Sequence, residues 1–127
     1  MTSSRQVVTA LILLPTFYNP DVEGNRHPIE DDKFIQTAKE VSELLGEGGI
    51  LHLWRDSPPA GFWWNQGVVE TDVLALLEVD LEDTEENRNR LESYAKAVLL
   101  SRFQQEAIYI KFVAPVERLL VQTKEVK

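Results

Sequence analysis

The sequence predicts an α+β protein of the ferredoxin-like type, with its elements in the order β-α-β-β-α-β. The main evidence is that two segments with helical periodicity alternate with four segments of strand character. The chain has 127 residues, 43% of them apolar and 27% charged, which is the size and balance of one globular domain. We therefore predict a single domain over residues 1–127, with an ordered core from 6 to 115. Its four-stranded antiparallel sheet has the order 4-1-3-2, and both helices lie on one face.

The first strand is predicted from Val7 to Leu14, a nearly continuous apolar run that Pro15 ends. Such a run is typical of a central strand that is covered on both faces. The connection that follows, residues 15–28, is longer than an ordinary loop. Long loops often carry functional residues, so this connection is a candidate site loop.

The first helix is predicted to begin at Asp31 or Asp32, either of which can cap it, and to end at Gly46. Its apolar residues recur at steps of three and four, which is the pattern of an amphipathic helix. They are Phe34, Ile35, Ala38, Val41, Leu44 and Leu45.

A strand, a long loop and a second strand follow this helix. Residues 50–55 predict an edge strand, because apolar residues alternate with His52 and Trp54. Residues 56–67 hold two prolines, two glycines and three aromatic side chains, a composition that indicates a loop. From residue 68 to residue 80 the side chains divide into two alternating faces, which predicts a long strand.

The second helix is predicted to start at Asp83 or Thr84 and to run to about Phe103. Residues 107–113 alternate aliphatic and amphipathic side chains, which predicts the fourth strand. Residues 116–122 could add a short strand within a C-terminal tail that covers 116–127. The residues of the second helix expected to face inward are Leu91, Tyr94, Ala95, Val98, Leu99 and Phe103.

The predicted chain path brings the connections 15–28, 56–67 and 103–106 to one end of the sheet. The tryptophans there either pack on the core as a lid or line an apolar pocket. Glu70 and Glu106 could act as general acid and base, with Gln105 as an amide donor. Alternatively, Gln105 and Glu106 bind the backbone where the helix ends. The side chains gathered at this end are Phe17, Tyr18, His27, Trp63, Trp64, Gln104, Gln105 and Glu106, with Glu70 just below.

The sheet face without helices is expected to be mixed and too apolar for a monomer, which predicts a homodimer packed sheet against sheet. His52 and Asp72 lie opposite each other on this face, where the carboxylate would orient the imidazole ring and raise its basicity. A surface or interface role for His52 is the alternative. The residues expected on this open face are His52, Trp54, Asp72, Leu74, Leu76, Tyr109 and Lys111.

The end of the second helix has a distinctive sequence, Ser101-Arg102-Phe103-Gln104-Gln105-Glu106-Ala107, with Tyr94 ahead of it. With Gly49-Ile50-Leu51, Trp63-Trp64 and Glu70, it resembles a small bacterial family of uncharacterised proteins, in which a helix ends in Arg-Phe-X-Gln-Glu before the last strand. The resemblance covers residues 49–112. The family pattern differs in having Gly-Leu-Thr at positions 49–51 and in lacking the Ser57-Pro58-Pro59 insertion. The resemblance implies a ferredoxin-like fold and no particular activity.

Composition argues against several kinds of partner. The chain has no cysteine, 2 histidines and a formal net charge of −8. Disulfides, zinc-thiolate sites and iron–sulfur clusters are therefore absent, and we expect no metal and no cofactor. The acidic balance disfavours nucleic acid. We expect no membrane partner, since the apolar run 7–14 is too short to span a bilayer, and the location expected by default is the cytoplasm.

No motif commits the sequence to a reaction. We predict a non-catalytic module that binds a small molecule or a protein partner. One alternative is a cofactor-free enzyme of the dimeric α+β barrel type, acting on a small, partly apolar molecule, with proton transfer by His52, Glu70 and Tyr18. Another is a structural subunit whose acidic run, residues 78–86, meets a basic partner. The residues expected to contact a ligand are Trp54, Trp63, Trp64, Gln105 and Glu106.

Overall fold

The computed structural model describes residues 6–123. Within this range the chain forms an antiparallel sheet and two long helical segments, which is the α+β architecture expected from the sequence. The second helical segment, residues 85–102, has a π-helical turn, Ala95–Leu99, between two α-helical stretches. The elements are β1 (Val7–Pro15), α1 (Asp31–Leu45), β2 (Gly49–His52), β3 (Ala60–Asn65), β4 (Val68–Glu82), α2 (Glu85–Tyr94), α3 (Leu100–Arg102) and β5 (Tyr109–Val113).

Strand β4 organises the sheet, because it pairs with three other strands. β1 pairs with residues 74–82 of β4, and β5 extends the sheet beyond β1. On its other edge β4 pairs with β2 at residues 76–79 and with β3 at residues 68–73. The Val73 carbonyl accepts from Thr16 N–H, whereas Leu74 N–H, pointing the opposite way, donates to the Pro59 carbonyl. β2 and β3 therefore follow one another along the same edge of β4.

The expectation of a four-stranded sheet is wrong in count, because residues 60–65 form an additional strand, β3, and not a loop. The four expected strands keep the expected order 4-1-3-2, which in the numbering of the structure is β5-β1-β4-β2. The sheet has five strands, in the order β2-β4-β1-β5 with β3 beside β4. The prolines and glycines of 56–67 suggested a loop, but consecutive aromatic residues favour extended backbone once a partner strand is present. Gln66 and Gly67, with φ of 49° and 87°, make the tight turn that folds β3 onto β4 as a hairpin. The short strand expected at 116–122 is also wrong, since residues 114–123 contain no strand.

The helices cover one face of the sheet. Every second residue of β1 is buried against them, and the odd-numbered residues of β4 from Ala75 to Leu81 lie on the same side. Phe34 of α1 and Phe103 after α3 meet at the centre, with ring centroids 5.2 Å apart. The buried core comprises Val8, Ala10, Ile12, Leu14, Ile29, Phe34, Val41, Ala75, Leu77, Val79, Leu81, Leu91, Ala95, Leu99 and Phe103.

The helix ends follow the expected chemistry with one correction. Gly46 closes α1 in the left-handed conformation with φ 66°, a region that glycine adopts without steric cost. Thr84 caps α2, since its hydroxyl accepts from the Asn87 N–H at 3.0 Å. The expected cap of α1 by an aspartate is wrong: Glu30 occupies the capping position and makes no side-chain cap bond. None of the helices within residues 6–123 is both long and apolar enough to cross a bilayer.

A polar network joins the two helical segments on their outer side. The Arg102 guanidinium donates to Thr37 Oγ1 at 2.9 Å and to Tyr94 Oη at 3.3 Å, and it lies 3.0 Å from Glu40 Oε1. The Tyr94 hydroxyl donates to the same carboxylate at 2.7 Å. This bond, together with the arginine, lowers the pKa of Glu40, while burial and the neighbouring carboxylate raise the pKa of Tyr94 to about 12. The network fixes the register between α1 and the end of the second helical segment.

Candidate functional site

A cleft of about 270 Å³ lies between the β3–β4 hairpin and the start of β5. Trp63 and Tyr109 form its aromatic walls, with ring centroids 6.1 Å apart and ring planes at 72°. Asp72 contributes a carboxylate and Gln105 an amide to its lining. The remaining lining is apolar: Leu13, Pro15, Leu74, Ala107 and Ile108.

The hairpin register explains why Trp63 faces this cleft. Trp63 pairs with Glu70 and Gly61 pairs with Asp72, so these residues share the open face of the sheet with Leu74. A Cβ at position 61 would lie 2.6 Å from Leu74 Cδ1, so any larger residue there would force the Leu74 side chain to move. Packing beneath the hairpin leaves Leu74 only 6% exposed although no helix covers it.

The long connection 16–30 supports the carboxylate side of the cleft. Arg26 donates through Nε to the Tyr18 carbonyl at 3.0 Å and approaches Asp72 Oδ1 at 3.4 Å. Its guanidinium also lies over the Phe17 ring, 5.9 Å from the centroid. Asn19 Nδ2 donates to the Gln104 carbonyl at 3.0 Å. Loop contacts therefore join the connection to β4 and to the end of the second helical segment, as the predicted chain path implied.

The sequence segment that resembles an uncharacterised family forms the end of this helical segment. Arg102 enters the interhelical network, Phe103 fills the core and Gln104 has a positive φ of 52°. Gln105 lines the cleft and donates to the Phe103 carbonyl at 3.1 Å, which is the helix-end role considered for it. Glu106 faces a different groove, of about 530 Å³, between the second helical segment and β5. The structure therefore separates Gln105 from Glu106.

The two adjacent tryptophans lie on opposite faces of the hairpin. Trp63 is half-buried in the cleft, whereas Trp64 is 75% exposed and pairs with Val69 across the hairpin. Phe62 shares the face of Trp64 and is 69% exposed. We call Phe62, Trp64 and Val69 the hairpin patch. The hairpin patch faces the same side of the sheet as the helices, but the helices do not cover it.

The open face of the sheet is graded from apolar to polar. One cross-strand row consists of His52, Leu76, Leu13 and Tyr109, and the next consists of Ile50, Glu78, Leu11 and Lys111. Trp54 is 54% exposed, and its ring lies 5.1 Å from that of His52. Ile50 is equally exposed, so two large apolar side chains are exposed at the β2 edge, one on each side of His52 along the chain. We call Ile50 and Trp54 the β2-edge patch.

The residues predicted to transfer protons lie in three separate places. The Tyr18 hydroxyl donates to Glu30 at 2.8 Å and accepts from Lys33 Nζ at 2.6 Å, beside the start of α1. Glu70 accepts from Asn65 Nδ2 at 3.2 Å near the hairpin turn. His52 lies on β2, at the far edge of the sheet from β5.

The expectation that Asp72 is the carboxylate partner of His52 is wrong. His52 Nε2 lies 3.2 Å from Glu78 Oε1, while Asp72 contacts Arg26 and the Val73 N–H. The reason is register: His52 pairs with Leu76, which places Glu78 one row away on the same face. The other histidine, His27, approaches Asp21 at 3.1 Å. The pKa of Asp21 is lowered chiefly by the Asn25 N–H and further by His27.

Sequence reasoning placed Asp72 and Tyr109 on the open face, with Asp72 as a partner of His52, but did not assign either residue to this cleft. Both become cleft residues only because the hairpin folds over that face. The unbroken pattern of alternation from residue 68 onward gave the orientation of Asp72, but β3 was needed to show what covers it. Within residues 6–123, no three His, Asp or Glu side chains lie close enough together to hold a metal ion.

Comparison with solved structures connects this arrangement to known folds. The divalent cation tolerance protein Cut A1 of Thermus thermophilus matches with a TM-score of 0.60 and 17% identity, over 89% of this chain and 87% of that one. CutA1 from Oryza sativa matches with a TM-score of 0.61 and 12% identity, over 94% and 87% of the two chains. The chain is similar in fold to the CutA1 proteins.

The same fold similarity extends to an enzyme. A phage SAM lyase, solved in complex with S-methyl-5'-thioadenosine, matches with a TM-score of 0.51 and 12% identity, over 89% of this chain and 84% of that one. At these identities the CutA1 proteins and the lyase share a fold with this chain, and the similarity assigns no activity. No protein-family model and no curated protein sequence matches the chain. The ferredoxin-like fold implied by the resemblance is therefore supported by structure alone, and the family itself stays a prediction.

Proposed function

We propose that the chain is a non-catalytic interaction module that self-associates, with the hairpin patch of one copy packed on the β2-edge patch of the next. The observation that carries the proposal is the exposure of the hairpin patch: Phe62 at 69%, Trp64 at 75% and Val69 at 58%. Three large apolar side chains on one face of a projecting hairpin are typical of a surface that another protein covers.

The two patches require a particular kind of contact. They point to opposite sides of the sheet, so a symmetric dimer packed through the open faces would leave the hairpin patch in water. A head-to-tail contact, in which the hairpin patch of one copy meets the β2-edge patch of the next, covers both. Such a contact closes into a ring when the rotation between copies allows it.

The alternative of a cofactor-free enzyme requires an acid and a base that lie together at one pocket. The three residues predicted to transfer protons do not meet this requirement. Tyr18, His52 and Glu70 each have local partners in separate parts of the fold. No observation favours this alternative over the interaction module.

Sedimentation velocity at tens of micromolar tests the proposal. The wild-type chain should sediment as a species several times heavier than 14.5 kDa, and Trp64→Ser should sediment as the monomer. Ile35→Ser is the matched control, since Ile35 is an exposed apolar residue on α1 outside both patches. A wild-type chain that stays monomeric would contradict the proposal. So would an assembly that survives Trp64→Ser unchanged.

A further inference from the structure

The cleft beneath the hairpin presents hydrogen-bond acceptors that the protein itself uses only in part. Asp72 Oδ1 accepts from the Val73 N–H at 2.8 Å and lies 3.4 Å from both terminal nitrogens of Arg26. Gln105 uses its Nε2 to donate to the Phe103 carbonyl. Among the hydrogen bonds of residues 6–123, none reaches Asp72 Oδ2 or Gln105 Oε1. Two acceptor oxygens thus remain for a ligand.

The walls and size of the cleft limit the ligand further. Trp63 and Tyr109 stand nearly perpendicular, so a planar ring that stacks on one presents its edge to the other. The volume of about 270 Å³ corresponds to about nine water molecules, which accommodates a substituted six-membered ring. An apolar floor at Leu13 and Leu74 favours the ring over a chain of polar groups.

The charges around the cleft favour a donor that carries positive charge. Glu70 lies two residues before Asp72 on the same face of β4. Arg26 is the neighbouring cation, but its approach to Asp72 at 3.4 Å is long, and its Nε donates to a loop carbonyl. These contacts all fall on Oδ1 of the carboxylate, so Oδ2 has no hydrogen-bond partner among residues 6–123.

We propose that this cleft binds a small planar ring bearing an amidinium or amino group. Its N–H groups donate to Asp72 Oδ2 and Gln105 Oε1, and its ring lies against Trp63 and Tyr109. An anionic ring of the same shape is disfavoured, because it would place its carboxylate against the like-charged carboxylate of Asp72.

Three isosteric probes test the proposal: benzamidine, a cation with two donor nitrogens; benzamide, which is neutral; and benzoate, an anion without donors. Binding is followed through the indole N–H signals in nitrogen-15 NMR spectra, with the Trp63 signal identified by its loss in Trp63→Phe. Benzamidine should shift the Trp63 signal in a saturable manner, and benzoate should bind at least about tenfold more weakly. Equal binding of the two charged probes, or no saturable shift of Trp63, would overturn the proposal.

A pair of variants on one strand separates the cleft carboxylate from general charge. Asp72→Asn should weaken benzamidine about tenfold, because a charge-assisted bond becomes a neutral one. Glu70→Gln removes a carboxylate from the same face of β4 outside the cleft and should leave the affinity within about twofold. Equal losses in the two variants would contradict a specific role for Asp72. If Asp72→Asn does not fold, Gln105→Leu replaces it, with a weakening of benzamidine again expected and no change contradicting the proposal.

The measurement also separates this site from the proposed self-association. Every lining residue of the cleft belongs to one chain, so Trp64→Ser should bind benzamidine as tightly as the wild type. A monomeric wild-type chain that binds benzamidine would overturn the interaction module and leave the cleft intact. A wild-type chain that self-associates but binds none of the three probes would overturn the proposed ligand site and leave the interaction module intact.

Discussion

Two arginine–glutamate pairs of nearly equal length provide a sharp test of the polar network between the helices. Arg102 lies 3.0 Å from Glu40 and Arg118 lies 3.1 Å from Glu47. The two arginines differ in burial, since the Arg102 side chain is 14% exposed and that of Arg118 is 44% exposed. Replacing each by methionine keeps most of the aliphatic stem and removes the charge, so the comparison isolates the effect of the environment.

Arg102→Met should destabilise the protein by about 2–3 kcal/mol, and Arg118→Met by less than about 1 kcal/mol. The first value reflects hydrogen bonds to Thr37, Tyr94 and Glu40, two of which involve neutral acceptors. It is below the cost of breaking a fully buried pair, about 3–5 kcal/mol, because the Glu40 side chain is 34% exposed and water can take over part of its solvation.

Urea unfolding at pH 7, followed by circular dichroism, measures both differences. The cost of Arg102→Met should also depend on pH, because the pKa of Glu40 is lowered in the folded state, first by the Tyr94 hydroxyl and then by Arg102. The stability that this carboxylate contributes is present above its unfolded pKa, close to 4.5, and is lost as the pH falls through the lower folded value. The difference between wild type and variant should therefore shrink below pH 4.5. Equal costs for the two arginine variants, or a difference that grows in acid, would refute the reasoning.

Three further experiments test other parts of the structure. Phe103→Ala should cost about 3–5 kcal/mol in urea unfolding, since Phe103 is fully buried, whereas Val22→Ala, at a fully exposed position outside both patches, should stay within about 0.5 kcal/mol. Gly49→Ala places a Cβ 2.6 Å from the Glu78 carbonyl and should cost about 1–3 kcal/mol. Gly48→Ala, with no heavy atom within 4 Å of the added carbon, should be neutral or stabilising by up to about 1 kcal/mol. Phenolate absorbance should show a step near pH 12 that disappears in Tyr94→Phe, and stability should decrease between pH 10 and 12, where only the unfolded chain loses this proton.

The sequence alone determined the elements whose signal is local. The apolar run of β1, the periodicity of α1 and the alternation of β4 each follow from neighbouring residues, and each recurs in the structure. The sequence limited the cap of α2 to Asp83 or Thr84, and the structure selects Thr84. Alternation also gave the correct orientation of Asp72 and Tyr109 on the open face. These features follow from the regular repeat of side-chain direction along a helix or a strand. A short stretch of sequence is enough to show that repeat.

Tertiary structure decided the features that depend on a partner strand. Residues 60–65 carry loop-forming and strand-forming signals together, and pairing with β4 settled the balance by satisfying their backbone groups. That pairing placed Trp63 in a cleft and Trp64 in water, a distinction that two adjacent tryptophans in a supposed loop could not reveal. The register of β2 against β4 likewise places His52 beside Glu78 and not beside Asp72. Each of these outcomes rests on contacts between residues distant in sequence, and the physical reason is that a strand acquires its neighbours only when the sheet forms.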